Sequence, residues 1–281
     1  MIRAALALAL LAAPVAAAER VVIAGGDLAE IAFALGAGER VVGVDSTATY
    51  PPEAMTLPQI GYLRRLSAEG VLSLAPDLLI LAPDAGPDVA LTQIEAAGAE
   101  ILKGPDAPGA AGIAEKIRFV GAALGRVPEA EALAAETEAA LASVAEKVAR
   151  LPERPRVLFI LHLQGGAPLV GGEGTSADEI IRLAGAENAA ADVEGFRPMG
   201  REGMIAVAPD VILMMESRAD AAGGLDAVLA SPDIAATPAG QAGRAVAMDG
   251  MKLLGFGPRT PEAIAELARL LQPEAAAGAG L

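Results

Sequence analysis

IGYLRRLSAEGVLSLAPDLLILA, residues 60–82, contains a segment that recurs once further along the chain. Glu69-Gly70-Val71-Leu72-Ser73-Leu74-Ala75-Pro76-Asp77, followed by Leu78 to Leu81, aligns without a gap on Glu202-Gly203-Met204-Ile205-Ala206-Val207-Ala208-Pro209-Asp210, followed by Val211 to Met214. The spacing between copies is far longer than the roughly 20–50 residues of a solenoid unit, so it points to two similar lobes in one chain. In the first copy Ser67 is a candidate N-cap for a short helix reaching Ala75. Pro76-Asp77 then ends the helix before a strand from Leu78 to Ala82. Upstream, Gly61-Tyr62 has a near counterpart in Gly195-Phe196, shifted by one position.

Outward from the first copy, β-branched strand candidates alternate with helical spacing. Strands are expected at Arg20–Ala24, Arg40–Val44 and Glu100–Leu102, and helices at Leu28–Leu35, Val89–Ala97 and Ile113–Leu124. That alternation predicts a parallel, doubly wound α/β lobe. Pro128 to Arg150 has no turn residue after its first position, and its apolar residues fall on one helical face, so it reads as a single long, rigid connecting helix. Arg156–Leu163 opens a second α/β lobe, with Thr175 as the cap of a helix from Ser176 to Ala184. The repeated helix follows at Arg201–Ala208 and the repeated strand at Val211–Met215. A helix at Leu225–Leu229, a strand at Ala245–Met248 and a helix at Glu262–Leu271 complete it. Residues 188–199 and 249–261 read as loops, and the Ala/Gly-rich tail from Gln272 is expected to fray. The fold class is thus α/β: two doubly wound lobes joined by one long helix, with a ligand cleft between them. The expected boundaries are 1–18 for a signal peptide, 19–125 for the first lobe, 126–152 for the linking helix and 153–281 for the second lobe.

The N-terminus carries Arg3, an apolar run from Ala4 to Ala13 too short to span a bilayer, and a small-residue cleavage site after Ala18. This predicts an exported protein, and with no cysteine to lipidate, a free one. The 281 residues contain no cysteine and one histidine, which excludes disulfides, iron–sulfur clusters, thiolate zinc sites and multi-histidine metal sites. A formal net charge of −15 argues against nucleic-acid binding. Aromatics make up only 2% of the chain, so any aromatic in a site is one of few. Enzyme signatures are missing: there is no nucleophile–base pair at a useful spacing, no P-loop, and no GxGxxG between a strand and a helix. Gly165-Gly166 and Gly171-Gly172-Glu173-Gly174 read as turn glycines.

Ligands of open parallel sheets bind at the carboxyl ends of the strands. Gly25-Gly26 ends the first strand of the first lobe, and His162 ends the first strand of the second. Tyr62 lies in a loop with Arg64 and Arg65, where guanidinium groups favour a phenolate, a hard oxygen ligand for ferric iron. The arginines equally suit carboxylates. Each of these residues also has a plain structural reading, as a strand-end polar group or a solvated loop.

Three motifs in order, Gly61-Tyr62-Leu63-Arg64-Arg65-Leu66 with Ala68-Glu69-Gly70, Gly174-Thr175-Ser176-Ala177-Asp178 with Ala184-Gly185 and Asn188, and Leu254-Gly255-Phe256-Gly257-Pro258-Arg259-Thr260, resemble the periplasmic haemin-binding proteins of bacterial haem ABC importers. The similarity runs over essentially the whole mature chain, while the helix-linked two-lobe fold is shared with siderophore and cobalamin binders. The resemblance implies that Tyr62 is the axial ligand of ferric haem and that Arg64 helps hold the haem or its propionates. It leaves His162 as the only candidate second-lobe ligand, in a family some of whose members hold two stacked haems. Arg65, Arg197 and Arg259 are candidates for propionate or rim contacts, whereas Ser176, Asp178 and Asn188 are expected to cap and brace the second lobe. It also implies docking of Glu69 and Glu202, which the internal repeat pairs independently, onto arginines of an inner-membrane permease. A monomer without enzymatic activity is expected. The alternatives are a ferric siderophore or a corrinoid carried by the same fold, or a periplasmic haem-handling enzyme or redox protein.

Overall fold

The computed structural model describes residues 19–163 and 167–281. The proposed signal peptide and Gly165-Gly166 lie outside them. The first lobe runs β1 (Val21–Ala24), α1 (Gly26–Ala34), β2 (Val41–Val44), α2 (Ala68–Leu72), β3 (Leu78–Leu81), α3 (Asp88–Ala96), β4 (Glu100–Lys103) and α4 (Ile113–Ala123). Its four strands are all parallel, in the order β2-β1-β3-β4. VVIA of β1 and LLIL of β3 are buried throughout, because helices cover both faces of the sheet centre and leave no solvent face for polar alternation. At the edge, β4 begins and ends on exposed Glu100 and Lys103, charges that discourage further strand pairing.

Helix α5 (Val127–Val148), 22 residues long, links the lobes. It packs on α4 of the first lobe and on helices of the second. The approach to α4 is close: a Cβ on Gly121 would sit 2.2 Å from that of Ala130, so only glycine fits there.

The second lobe contains β5 (Arg156–His162), β6 (Leu169–Gly171), α6 (Ser176–Leu183), β7 (Glu187–Asn188), β8 (Phe196–Pro198), α7 (Arg201–Val207) and β9 (Val211–Met215). It continues through α8 (Glu216–Ala221), α9 (Leu225–Leu229), α10 (Pro238–Ala242), β10 (Ala245–Met248), α11 (Gly250–Leu254), α12 (Thr260–Leu271) and α13 (Pro273–Ala279). Its sheet order is β10-β9-β5-β6-β8, with β7 also beside β5. Here the sheet departs from the all-parallel pattern of the first lobe: β5–β6 and β6–β8 pair antiparallel, since the short connection from β5 to β6 leaves no room for a crossover helix. Residues 188–199 therefore include strand β8, and residues 249–261 include helix α11, which Asp249 caps through Lys252 N. The tail folds as α13. Its alanines bury Ala276 and Ala279, and the helix packs on α12 and α5.

Alternate residues of β5 and β9 feed two cores. Val157, Phe159, Val211 and Leu213 face a cluster that is continuous with the first lobe, whereas Leu158, Ile160, Ile212 and Met214 face a second cluster confined to the second lobe. One apolar core thus runs through both lobes.

The sequence repeat is a structural repeat. Both copies carry an alanine with a left-handed backbone just before Pro-Asp, Ala75 at φ 44° and Ala208 at φ 43°. Asp77 accepts from the backbone N of Arg20, and Asp210 from that of Arg156. The guanidinium of Arg20 donates to Leu74 and Ala75 carbonyls, and that of Arg156 to the Val207 carbonyl. In each lobe an arginine opening the first strand therefore satisfies the carbonyls at the end of the repeated helix, groups that have no partner within the helix itself.

Candidate functional site

Asp45, directly after β2, organises the first lobe's strand ends. Fully buried, it accepts hydrogen bonds from Gly25 N at 2.9 Å, Thr47 N at 3.1 Å, Thr47 Oγ1 at 2.8 Å and Leu63 N at 3.2 Å. Burial pushes its carboxyl above the ordinary value, and the four donors pull it partly back. The Leu63 bond pins the residue after Tyr62, and Ser46 N donates to the Gly61 carbonyl on the other side. Two further backbone bonds, Gly86 N to Leu63 O and Leu66 N to Gly86 O, stitch this loop to the one following β3. Tyr62 is thereby held across the carboxyl ends of β1, β2 and β3, half-buried against the core.

Arg64 Nη1 donates to the Tyr62 hydroxyl oxygen at 2.9 Å. The other edge of the guanidinium, Nε and Nη2, donates to Asp84 Oδ2 in the loop after β3. Asp84 raises the Arg64 pKa further, so the guanidinium stays charged.

In the second lobe His162 ends β5 and is half-buried. It lines a pocket of about 230 Å³ with Leu163, Arg218, Ala221 and Ala222. Arg218 follows β9 and is not singled out by the sequence motifs. The strand-end rule that points to His162 reaches it when extended to the repeated strand. Arg65 and Arg197 are exposed, the latter on the sheet-edge strand β8. Asp178 and Asn188 are buried and bonded to each other at 3.1 Å, and Thr175 Oγ1 caps α6 through Asp178 N. Glu69 and Glu202 are each the second residue of their helices, α2 and α7, and both are exposed.

The two sets of strand ends meet at the lobe junction. A Cβ on Gly26, at the start of α1, would lie 2.4 Å from the Thr47 carbonyl oxygen and 2.5 Å from Met251 Sδ in α11, so only glycine allows this approach. Lys116 of α4 donates to Asp27 of α1 at 2.7 Å and to the Gly255 carbonyl of the second lobe at 3.3 Å. Glu30 of α1, only 5% exposed at its side chain, accepts from Arg259 Nη2 at 2.7 Å and Nε at 2.9 Å. The Arg259 guanidinium also stacks on the Tyr50 ring, 3.7 Å from its centroid. Arg259 is thus engaged in joining the lobes. The adjoining pocket of about 680 Å³, which includes Phe33, Tyr50, Leu57, Pro258 and Arg259, contains none of Tyr62, Arg64 and His162.

Among the described residues no cluster of three or more His, Cys, Asp or Glu side chains is arranged to hold a metal ion, and no helix is long and apolar enough to cross a membrane. The first lobe offers one hard oxygen donor with a charged guanidinium on it at its strand ends, and the second lobe a histidine and an arginine around a small pocket at the ends of β5 and β9. That combination suits a ligand with a ferric centre and acidic substituents.

The chain is similar to known proteins over most of its length. The periplasmic binding protein family model matches residues 21–250, and the chain belongs to that family. Among solved structures, the periplasmic heme-binding protein RhuT from Roseiflexus sp. RS-1 is 46% identical, with a TM-score of 0.87 over 92% of this chain and 99% of that one. The periplasmic heme-binding protein BhuT, solved with two hemes, is 43% identical, with a TM-score of 0.86 over 92% of this chain and 98% of that one. An uncharacterized ABC transporter substrate-binding lipoprotein of Bacillus subtilis, YvrC, is 30% identical over 66% of this chain, and the match spans 59% of that protein. Further curated relatives, 28–30% identical, are named for binding cobalamin or vitamin B12.

Proposed function

We propose that this chain is an exported substrate-binding protein that captures ferric haem between its two lobes and delivers it to an inner-membrane ABC permease. The observation that carries the reading is the Tyr62 hydroxyl, held at the strand ends of the first lobe with Arg64 Nη1 2.9 Å away. A phenol binds Fe(III) as its phenolate, so its proton leaves on capture, and a guanidinium on that oxygen stabilises the charge that results. Arg65, Arg197 and Arg218 supply positive charge for propionates, and the apolar lobe faces take the porphyrin. His162, beside Arg218, is the candidate ligand for a second haem. No bond of the cargo is made or broken, so the protein acts by binding alone. Glu69 and Glu202, exposed on matching helices of the two lobes, are placed to meet basic residues of a permease.

Titration of the mature protein with ferric haemin, followed by absorbance, tests this. A saturating Soret band with a phenolate-to-iron charge-transfer feature is expected, lost in Tyr62→Ala. A second equivalent, if present, should vanish in His162→Ala. A featureless, non-saturating rise would sink the haem reading and leave corrinoids and ferric siderophores to be tried in the same cleft.

A further inference from the structure

We propose that Asp84 is the positioning residue that commits Arg64 to the oxygen of Tyr62 and withholds it from the haem propionates. The inference rests on the haem reading above and specifies which group each arginine serves. A guanidinium presents two donor edges. In this structure Asp84 takes one, through Nε and Nη2, and the edge that remains delivers Nη1 to the phenol oxygen at 2.9 Å. The guanidinium carbon lies over the Tyr62 ring, 5.9 Å from its centroid.

The pair is not explained by stability. The Arg64 and Asp84 side chains are 59% and 47% exposed, and ion pairs this open contribute little to folding. The backbone, by contrast, is arranged for it. The loops carrying the two residues are joined by the paired bonds between Gly86 and Leu63 and Leu66, which fixes Asp84 relative to Arg64. Without the carboxylate, a long exposed arginine regains its rotamers and the Nη1 donor is lost to water for most of the time. Asp84 also adds a negative charge near the phenolate. That charge acts through solvent and across the guanidinium, where it is screened, so it weighs less than a direct charge-assisted hydrogen bond. Loss of orientation therefore decides the sign.

The test compares Asp84→Ala, Asp84→Glu, Arg64→Ala and the Asp84→Ala/Arg64→Ala double variant, each titrated with ferric haemin and with haemin dimethyl ester. A hydrogen bond lowers the donor orbital of a phenolate, so its loss should move the phenolate-to-iron charge-transfer band to longer wavelength. That shift is expected in Asp84→Ala and Arg64→Ala alike, with no further shift in the double variant and partial recovery in Asp84→Glu. Haemin affinity should fall about tenfold in each single variant, the size of one charge-assisted hydrogen bond. The preference for haemin over its dimethyl ester should survive Arg64→Ala. A band that moves in Arg64→Ala but not in Asp84→Ala would overturn the proposal, as would a preference for haemin over the ester that disappears with Arg64. The haem reading fails separately, if the unmutated protein shows no such band. The apo protein then tests the geometry independently: a resolved Arg64 Nε–H resonance is expected, lost in Asp84→Ala, and its absence before mutation contradicts the anchoring.

Discussion

The two lobes share a scaffold and differ at the ends of their strands. Below the cleft they match closely: the same helix-strand segment, the same left-handed alanine, and the same arginine and aspartate sealing helix to first strand. At the carboxyl ends the likeness stops. The first lobe builds a dense polar assembly, in which buried Asp45 gathers four donors and Asp84 holds Arg64 on Tyr62. The second lobe, with its mixed sheet, presents a half-buried histidine and an exposed arginine around a small pocket. Local chemistry that terminates a helix and starts a strand suits any copy, whereas strand-end loops are free to diverge, and that is where ligands meet open α/β sheets.

If the first lobe is the one that grips the cargo, Tyr62→Ala should weaken haemin binding by more than about a hundredfold, since even outer-shell partners of metal ligands cost 10–100-fold. His162→Ala should leave the first equivalent in place. Equal losses in a titration of both variants would dissolve the asymmetry between the lobes.

The junction offers the next largest effect. Arg259→Ala leaves the buried Glu30 carboxylate with only the backbone N–H of residue 259 and no guanidinium, and breaking such a pair costs about 3–5 kcal/mol. Urea unfolding should register this as a drop in midpoint, and a loss below about 1 kcal/mol would mean that the Arg259–Glu30 pair adds little to the shared apolar core and the Lys116 contact in joining the lobes.

Asp45→Ala strands four donors but also removes a buried carboxyl whose desolvation opposes folding, so the net cost should be about 1–3 kcal/mol, with looser haemin binding because the Tyr62 loop is released. Its pH signature has a definite sign. Burial raises the folded-state pKa above the ordinary 3.8, so just above that value the native state holds more protons than the unfolded chain. The stability advantage of the unmutated protein over Asp45→Ala should therefore shrink as pH rises through that window. A gap that widens with pH would show that the four donors outweigh burial.

The repeat itself predicts a near-equality. Asp77→Ala and Asp210→Ala each remove the acceptor for a first-strand N–H, and each should cost about 1 kcal/mol. A large inequality in chemical denaturation would mean that the matching backbone hides unequal packing. Smallest of all, Glu69→Gln and Glu202→Gln touch exposed groups and should alter stability by no more than about 0.5 kcal/mol. If they dock the permease, haem uptake into vesicles carrying it should fall with either change, while haemin binding in solution stays as it was.

Much of the scaffold is legible in the amino-acid sequence. The repeat, the caps at Ser67 and Thr175, the long helix and the strand ends at Gly25 and His162 all depend on residues near one another in the chain, where periodicity and capping rules apply. The family resemblance points to Tyr62 and Arg64 for the same reason, because they lie within one short motif. Other features are not written locally. Helix α13 has an alanine-rich sequence with little amphipathic contrast, and tertiary packing of small side chains holds it. Strand β8 exists because β6 offers it an edge, which no window of residues around Phe196 records.

By itself, then, the sequence determined two α/β lobes on one connecting helix, an acidic chain without cysteine, and a tyrosine–arginine loop before the first copy of the repeat. Only the tertiary structure decided which groups that loop would meet. Asp84 reaches Arg64 from twenty residues away, and Arg259 reaches Glu30 from 229 residues away. Local propensity acts over a few residues, whereas such pairings follow from how loops and lobes come to rest on a common core.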